Sequence, residues 1–154
     1  MSHTQTQPSV QEQNVLLTPS WLLAAALVGL GDTLYLSYYH LLGITPGCAL
    51  KGCEIVLNSV YATPLGVPMA YLGVLFYAFM FFLGALLVID PTSKGLRLGV
   101  LAYTTIGLLS SVCFELIQAT IIHAICMYCA ISAFTTLALF AVAVWHFRAT
   151  RTRN

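Results

Sequence analysis

The sequence predicts an all-α membrane protein, a four-transmembrane-helix bundle whose outer loop has room for one short helix. Three observations predict it. The 154-residue chain is 59% hydrophobic. Only 7% of it is charged, well below the roughly 25% of a soluble globular domain. Its apolar residues also gather into four runs, each long enough to cross about 30 Å of hydrocarbon. Six Lys and Arg stand against five Asp and Glu, a net charge of +1 that offers no basic surface for nucleic acid. No internal repeat, nucleotide-binding fingerprint or metal loop is present.

Residues 1–17 are polar, rich in Gln, Ser and Thr, and lack the Lys or Arg that precedes the apolar core of a secretory signal. They read as a retained, disordered cytoplasmic tail. A transmembrane domain over 18–147 follows, and then a basic cytoplasmic tail, 148–154. Thr18 and Pro19 look like a helix N-cap followed by proline at the first helical position, where a missing N–H costs nothing. The first span is expected over about 21–42, with Trp21 as an interfacial anchor. Asp32 lies near its middle, where an ionised carboxylate costs about 2.5 to 3.5 kcal/mol, so it must face the bundle.

From residue 43 to 67 the composition turns polar and rich in Gly and Pro, with Cys48, Lys51, Cys53, Glu54, Asn58 and Ser59. This loop is too long and too specific in content for a plain connector. The second span, about 68–89, is uncharged, and a turn over 90–95 leads to a third, about 96–122. At 1.5 Å per residue the third exceeds the hydrocarbon thickness, so it tilts or protrudes. A sharp reversal around His123 opens the fourth span, about 124–146.

Four spans place both termini and the 90–95 turn on one side, with Lys94, Arg97, Arg148, Arg151 and Arg153. Lys51 alone is on the other, so the positive-inside rule puts the termini in the cytoplasm. Cys48, Cys53, Cys126 and Cys129 then meet at the outer face. Cys126 and Cys129, three apart, lie within about 60° on one helix face, close enough to form or break a disulfide. Three readings stay open on the residues alone. Cys48 and Cys53 form a stabilising disulfide while the other two are small core residues. Alternatively, four thiolates with His123 bind or transport a soft metal ion. In the third, a loop pair and a membrane pair exchange disulfides, with Cys126 nearest water and Cys129 about 4.5 Å deeper, within reach of a lipid-soluble oxidant. The helix N-terminus lowers a thiol pKa by less than a unit and apolar surroundings oppose it, so activation needs a further partner.

The ordered set Cys53, Val56, Ser59, Tyr61, Ala62, Gly66, Pro68, Gly73 and finally Cys126-Met-Tyr-Cys129 resembles the vitamin K epoxide reductase family. Gly31-Asp32, Tyr35, Leu36 and His40 in the first span agree with it, as does Gln118 ahead of Cys126, and the likeness covers roughly residues 21–146. The resemblance implies a four-helix bundle around a quinone, with a half-helix in the outer loop capping the pocket. By that likeness Cys48 takes electrons from a partner, Cys53 passes them to Cys126, and Cys129 reduces the quinone, while Ser59 helps hold loop and pocket. Bacterial members regenerate a periplasmic thioredoxin-fold oxidant, and some carry a fused thioredoxin-like domain. With the sequence ending at Asn154, a separate partner and a place in the bacterial inner membrane are expected. Vertebrate members carry an Asn and a Tyr against vitamin K at places that fall near Met69 and at Ala133 here. A respiratory quinone, ubiquinone or menaquinone, is therefore the expected acceptor.

The remaining polar and aromatic residues are weighed singly. Cys113 reads as a small buried side chain outside the relay. Glu115 is open between a proton path and a buried structural acid, and Asp32 leans to structure through hydrogen bonds to Thr33, Ser110 or Thr136. His40 and His123 fall at the outer interface, where an imidazole is either solvated or able to take a proton. Of the second-span aromatics, most face lipid or the aromatic belt, and one or two of Tyr71, Phe76 and Tyr77 line a quinone ring.

Overall fold

The computed structural model describes residues 10–48, 52–91 and 93–151. Among them all regular structure is helical: α1 (Val10–Leu41), α2 (Gly52–Leu57), α3 (Met69–Ile89), α4 (Lys94–Ile117) and α5 (Met127–Arg151). Two short 3-10 turns, Val60–Ala62 and Pro64–Gly66, link α2 to α3, and a π-helical turn, Gln118–Ile122, extends α4. Four segments are long and apolar enough to cross a membrane: Thr18–Leu41, Met69–Ile89, Lys94–Ile122 and Met127–Ala149.

The long helices follow one another around the bundle. α1 packs on α3 and α5, and α4 packs on α5 and, more lightly, on α3. Short connections make such sequential neighbours antiparallel. Lipid tails are as apolar as Leu, so helices associate there by close packing over small residues. Gly29 on α1 accordingly seats the ring of Tyr77, and Gly107 on α4 seats that of Phe76; a Cβ at either position would overlap the ring. The core through the middle and inner half is apolar: Leu22, Ala26, Tyr77, Met80, Leu87, Val100, Leu139 and Ala143.

Three expectations need correction. α1 begins at Val10, so residues 10–17 are helical rather than part of a disordered tail, while residues 1–9 lie outside the described part. The segment 10–17 is built largely of Gln, Glu, Val and Leu, and contains no Gly or Pro to stop a helix growing outward from the span. Thr18 and Pro19 therefore do not cap the helix, because Pro19 sits inside it. A proline there removes one N–H donor and crowds the preceding turn, yet the helix carries on. Finally, Cys113 is exposed on the outside of the bundle. It shares the lipid-facing stripe of Ile106, Leu109 and Leu116, at the three- and four-residue spacing of one helix face.

Candidate active site

The end of the bundle that carries the cysteine pairs, the outer end in the expected orientation, is built from irregular backbone. α4 does not simply stop: its last turn widens into the π turn, and His123 then takes the left-handed conformation (φ 54°, ψ 30°) that reverses the chain. The Gln118 carbonyl accepts the Ala124 N–H at 3.2 Å, closing the turn. α5 starts at Met127 rather than at residue 124, and the Cys126 carbonyl accepts the Ala130 N–H at 3.0 Å, so Cys126 stands at the helix mouth. The Gln118 side chain, only 3% exposed, fixes it there by accepting the Cys126 N–H at Oε1, 2.8 Å away.

Against this mouth lies the outer loop. Cys48 and Cys53 are joined by a disulfide, their Cα atoms 6.1 Å apart. α2 presents Cys53 and Val56 to Cys126, and these three form a second buried cluster that Cys48, Tyr128 and Cys129 pack around. Cys53 and Cys126 are both 0% exposed. The contact depends on Gly52. A Cβ there would fall 2.9 Å from the Ile125 nitrogen and 3.0 Å from its carbonyl carbon, closer than a side chain tolerates against fixed backbone. The loop is also tied from the other side of its disulfide, since the Tyr128 hydroxyl donates to the Gly47 carbonyl at 2.9 Å. The Tyr128 ring meets that of Tyr35 on α1, centroids 5.5 Å apart.

Cys126 and Cys129 are free thiols. The Cys129 thiol beside it draws Cys126 down to about 7 from the ordinary 9.0, against the upward push of burial, and the backbone N–H groups of Cys129 and Tyr128 assist. Here is the partner that activation required: a helix mouth alone is worth less than one unit.

Beneath the cysteines a cavity of about 580 Å³ opens between the helices, a size that accommodates a drug-sized ring compound. Of the residues singled out from sequence, Cys129, Ser59, Phe76, Tyr77 and Ala133 line it. Cys48, Cys53 and Cys126 do not, and neither does Tyr71, whose ring instead meets edge-on that of His40, a cavity residue, at 5.8 Å. Met69 contributes apolar wall, and Asp32 and Glu115 also line the cavity. Ser59 donates to the Val56 carbonyl at 2.7 Å, pinning the end of α2 at the rim. Tyr77 donates to the Ser132 carbonyl at 2.8 Å and lies 2.9 Å from the hydroxyls of Ser132 and Thr136, one turn apart on α5. The thiols are thus arranged in series: outer disulfide, Cys126, Cys129, cavity.

Among the described residues, no group of three or more His, Cys, Asp or Glu side chains is arranged to hold a metal ion. Three residues escape assignment from sequence. Gln118 was noted for its place in the pattern without a role, because a contact across a π turn and a left-handed residue follows no helical spacing. Tyr128 and Gly52 carried no signal beyond lying next to cysteines.

Comparison with known proteins bears on the same stretch. The model of the vitamin K epoxide reductase family matches residues 20–144. The thiol-disulfide oxidoreductase LTO1 of Arabidopsis thaliana is 33% identical over 121 residues, covering 73% of this chain and 32% of that protein. The chain therefore spans about a third of the length of the curated relative it matches.

Proposed function

The chain belongs to the vitamin K epoxide reductase family, and on that premise we propose that it is a quinone-dependent, disulfide-generating oxidoreductase. A reduced thioredoxin-fold partner opens the Cys48–Cys53 disulfide through a mixed disulfide at Cys48. The freed Cys53 thiolate attacks Cys126 of an oxidised Cys126–Cys129 pair and releases the Cys129 thiolate. The partner's second thiolate attacks the mixed disulfide, so the partner leaves oxidised and Cys48 is freed as a thiolate. Cys48 then attacks Cys53, reforming the outer disulfide and leaving Cys126 and Cys129 reduced, and two electrons pass from that pair to a quinone in the cavity as their disulfide re-forms. Each exchange needs an attacking thiolate; Cys126 is the sulfur attacked by Cys53, and its lowered thiol acts as a thiolate near neutral pH only when the reduced inner pair closes again.

The single observation that carries this reading is the serial order of the sulfurs, with Cys53 buried against Cys126 and only Cys129 of the four on the cavity wall. The cavity residues suit a quinone ring: Phe76 and Tyr77 are aromatic members of its lining, Ser59 is a polar one, and Ala133 and Met69 leave an apolar, roomy wall for ubiquinone or menaquinone. The relative's printed name, a thiol-disulfide oxidoreductase, supports the same chemistry. The basic residues Lys94 and Arg97, together with Arg148, favour an orientation with the cysteine end outside the cytoplasm, where an oxidising compartment would receive the disulfides.

The test is turnover by the purified protein with a reduced thioredoxin-fold protein as donor and ubiquinone or menaquinone as acceptor, followed by quinone absorbance. Cys129→Ser should abolish quinone reduction while allowing a trapped Cys53–Cys126 disulfide to accumulate. Normal turnover by this variant would sink the assignment.

A further inference from the structure

We propose that Asp32 is the acid that hands a proton to the electron acceptor in the cavity beside Cys129, an inference that rests on the quinone reading above. The structural alternative for this buried carboxyl is that it ties helices together by hydrogen bonds to neighbouring hydroxyls. Thr33, Ser37 and Thr136 are engaged elsewhere, and Ser110, the remaining candidate, lines the cavity without bonding the buried Oδ2 of Asp32. Thr33 donates back to the Gly29 carbonyl at 2.9 Å on its own helix, and Ser37 donates to the Thr33 carbonyl at 2.7 Å. Thr136 meets the Tyr77 hydroxyl at 2.9 Å and the Ser132 carbonyl at 2.9 Å. Asp32 is left with Oδ2 buried and without a hydrogen-bond partner, on the wall of the cavity. A carboxyl inside a span is expensive to keep, and one that bonds no helix is retained for whatever enters the cavity.

Its depth suits that role. Tyr35, one turn outward on α1, touches Tyr128, the residue before Cys129, so Asp32 sits about 4.5 Å below the level of that contact. Cys129 and Asp32 thus address one space from above and below. The chemistry balances without any further reagent. As the Cys126 and Cys129 sulfurs join, they give up two electrons; Cys129 gives up one proton, Cys126 as a thiolate has already released its own to solvent, and a quinone becoming a quinol takes up one proton from each source. Asp32 donates its carboxyl proton to an acceptor oxygen and regains one from Cys129, ending as it began. An acid placed between a thiol that must lose a proton and an oxygen that must gain one carries that proton without bulk water between them.

The experiment is single-turnover oxidation of the reduced, desalted protein by decylubiquinone, with three variants and a separate binding measurement by fluorescence quenching. Asp32→Asn, which keeps size and polarity but carries no exchangeable carboxyl proton, should slow electron transfer by about 100-fold or more. It should bind decylubiquinone within twofold of the parent and, combined with Cys129→Ser, should still trap the Cys53–Cys126 disulfide. Asp32→Glu should restore most of the rate. An Asp32→Asn protein that transfers electrons at the parental rate overturns the inference, and so does one whose slowness is matched by an equal loss of binding. If Asp32→Asn fails to assemble, Asp32→Glu decides: an assembled, quinone-binding but inactive protein overturns the inference, whereas an active one supports it. A parent protein that reduces no quinone at all overturns the proposed function instead.

Discussion

The two ends of this bundle are built differently. At the inner end, long regular helices meet over apolar side chains such as Leu22, Leu87, Leu139 and Ala143, and the chain turns once between Ile89 and Lys94. At the outer end the backbone leaves helical geometry repeatedly, through the π turn, left-handed His123 and two 3-10 turns, and the side chains brought together are cysteines. The inner end rests mainly on shape and apolarity, which many sequences supply, with His146 and Arg97 bonding the backbone of the turn at Pro91 and Ser93. On the proposed function, the outer end must hold two cysteine pairs in register while letting sulfur bonds change partners, and the contacts that hold them are single ones. Substitutions at the outer end should therefore damage electron transfer more than stability, and those at the inner end the reverse.

The sharpest test of that contrast is a pair of alanine substitutions. Gly52→Ala sets a methyl against the Ile125 backbone, so Cys53 can no longer lie against Cys126. Partner-driven quinone reduction should fall about 100-fold, since small misplacements of reacting atoms cost about that much. Quinone reduction driven by dithiothreitol acting directly on Cys126 and Cys129 should persist. Leu87→Ala should instead lower the unfolding free energy by about 2 kcal/mol or more through a cavity in the inner core, with both electron-transfer assays retained. If Gly52→Ala lost both assays, or neither, the steric seat would not be what holds the pairs in register.

A smaller effect is expected from pH. With Cys126 held at about 7, the thiolate fraction rises from about 10% at pH 6 to about 90% at pH 8. The thiolate is the attacking form, so the rate of oxidation of the reduced pair by quinone should climb about tenfold over that range and then level off. A thiol at the ordinary 9.0 would climb about 100-fold and show no plateau by pH 8. Stopped-flow rates between pH 6 and 9 separate the two profiles, and a rate still rising steeply at pH 9 would remove the activated Cys126.

The same division explains how much could be read from the chain. Run length identified the four spans, because apolarity along a helix is local information and hydrocarbon accepts little else. The cysteine spacing, with the family likeness, singles out Cys126 and Cys129 as candidates, and the structure packs Cys126 against Cys53 of the loop. What could not be read is the part built from non-helical backbone. Gln118 reaches Cys126 only because a widened turn and a left-handed residue bend the chain back, and Gly52 matters only against a backbone that is distant in sequence. The start of α1 was also misplaced, since Thr18-Pro19 has the signature of a helix start yet lies inside a longer helix whose polar first turns continue the span. Asp32 could be placed in a bundle but not assigned, because whether Thr33 and Thr136 were free to bond it depended on contacts with Gly29 and Tyr77.

Tyr128 offers the finest probe of the outer end. It lies between the two thiols of the inner pair, yet its hydroxyl donates to Gly47, the residue before Cys48, so it ties the loop from the side opposite Gly52. Tyr128→Phe keeps the ring and its contact with Tyr35 while removing that hydrogen bond, a change of about 0.5 to 1.5 kcal/mol. If the bond holds the loop closed between exchanges, that energy appears as a two- to tenfold fall in partner-driven turnover, roughly RT-scaled from the same figure, with the dithiothreitol-driven rate unchanged. A full-strength Tyr128→Phe protein would mean that Gly52 and the Cys53 cluster hold the loop alone. A loss as large as that of Gly52→Ala would mean the reverse, that the docked loop hangs on one hydrogen bond and the steric seat only admits it.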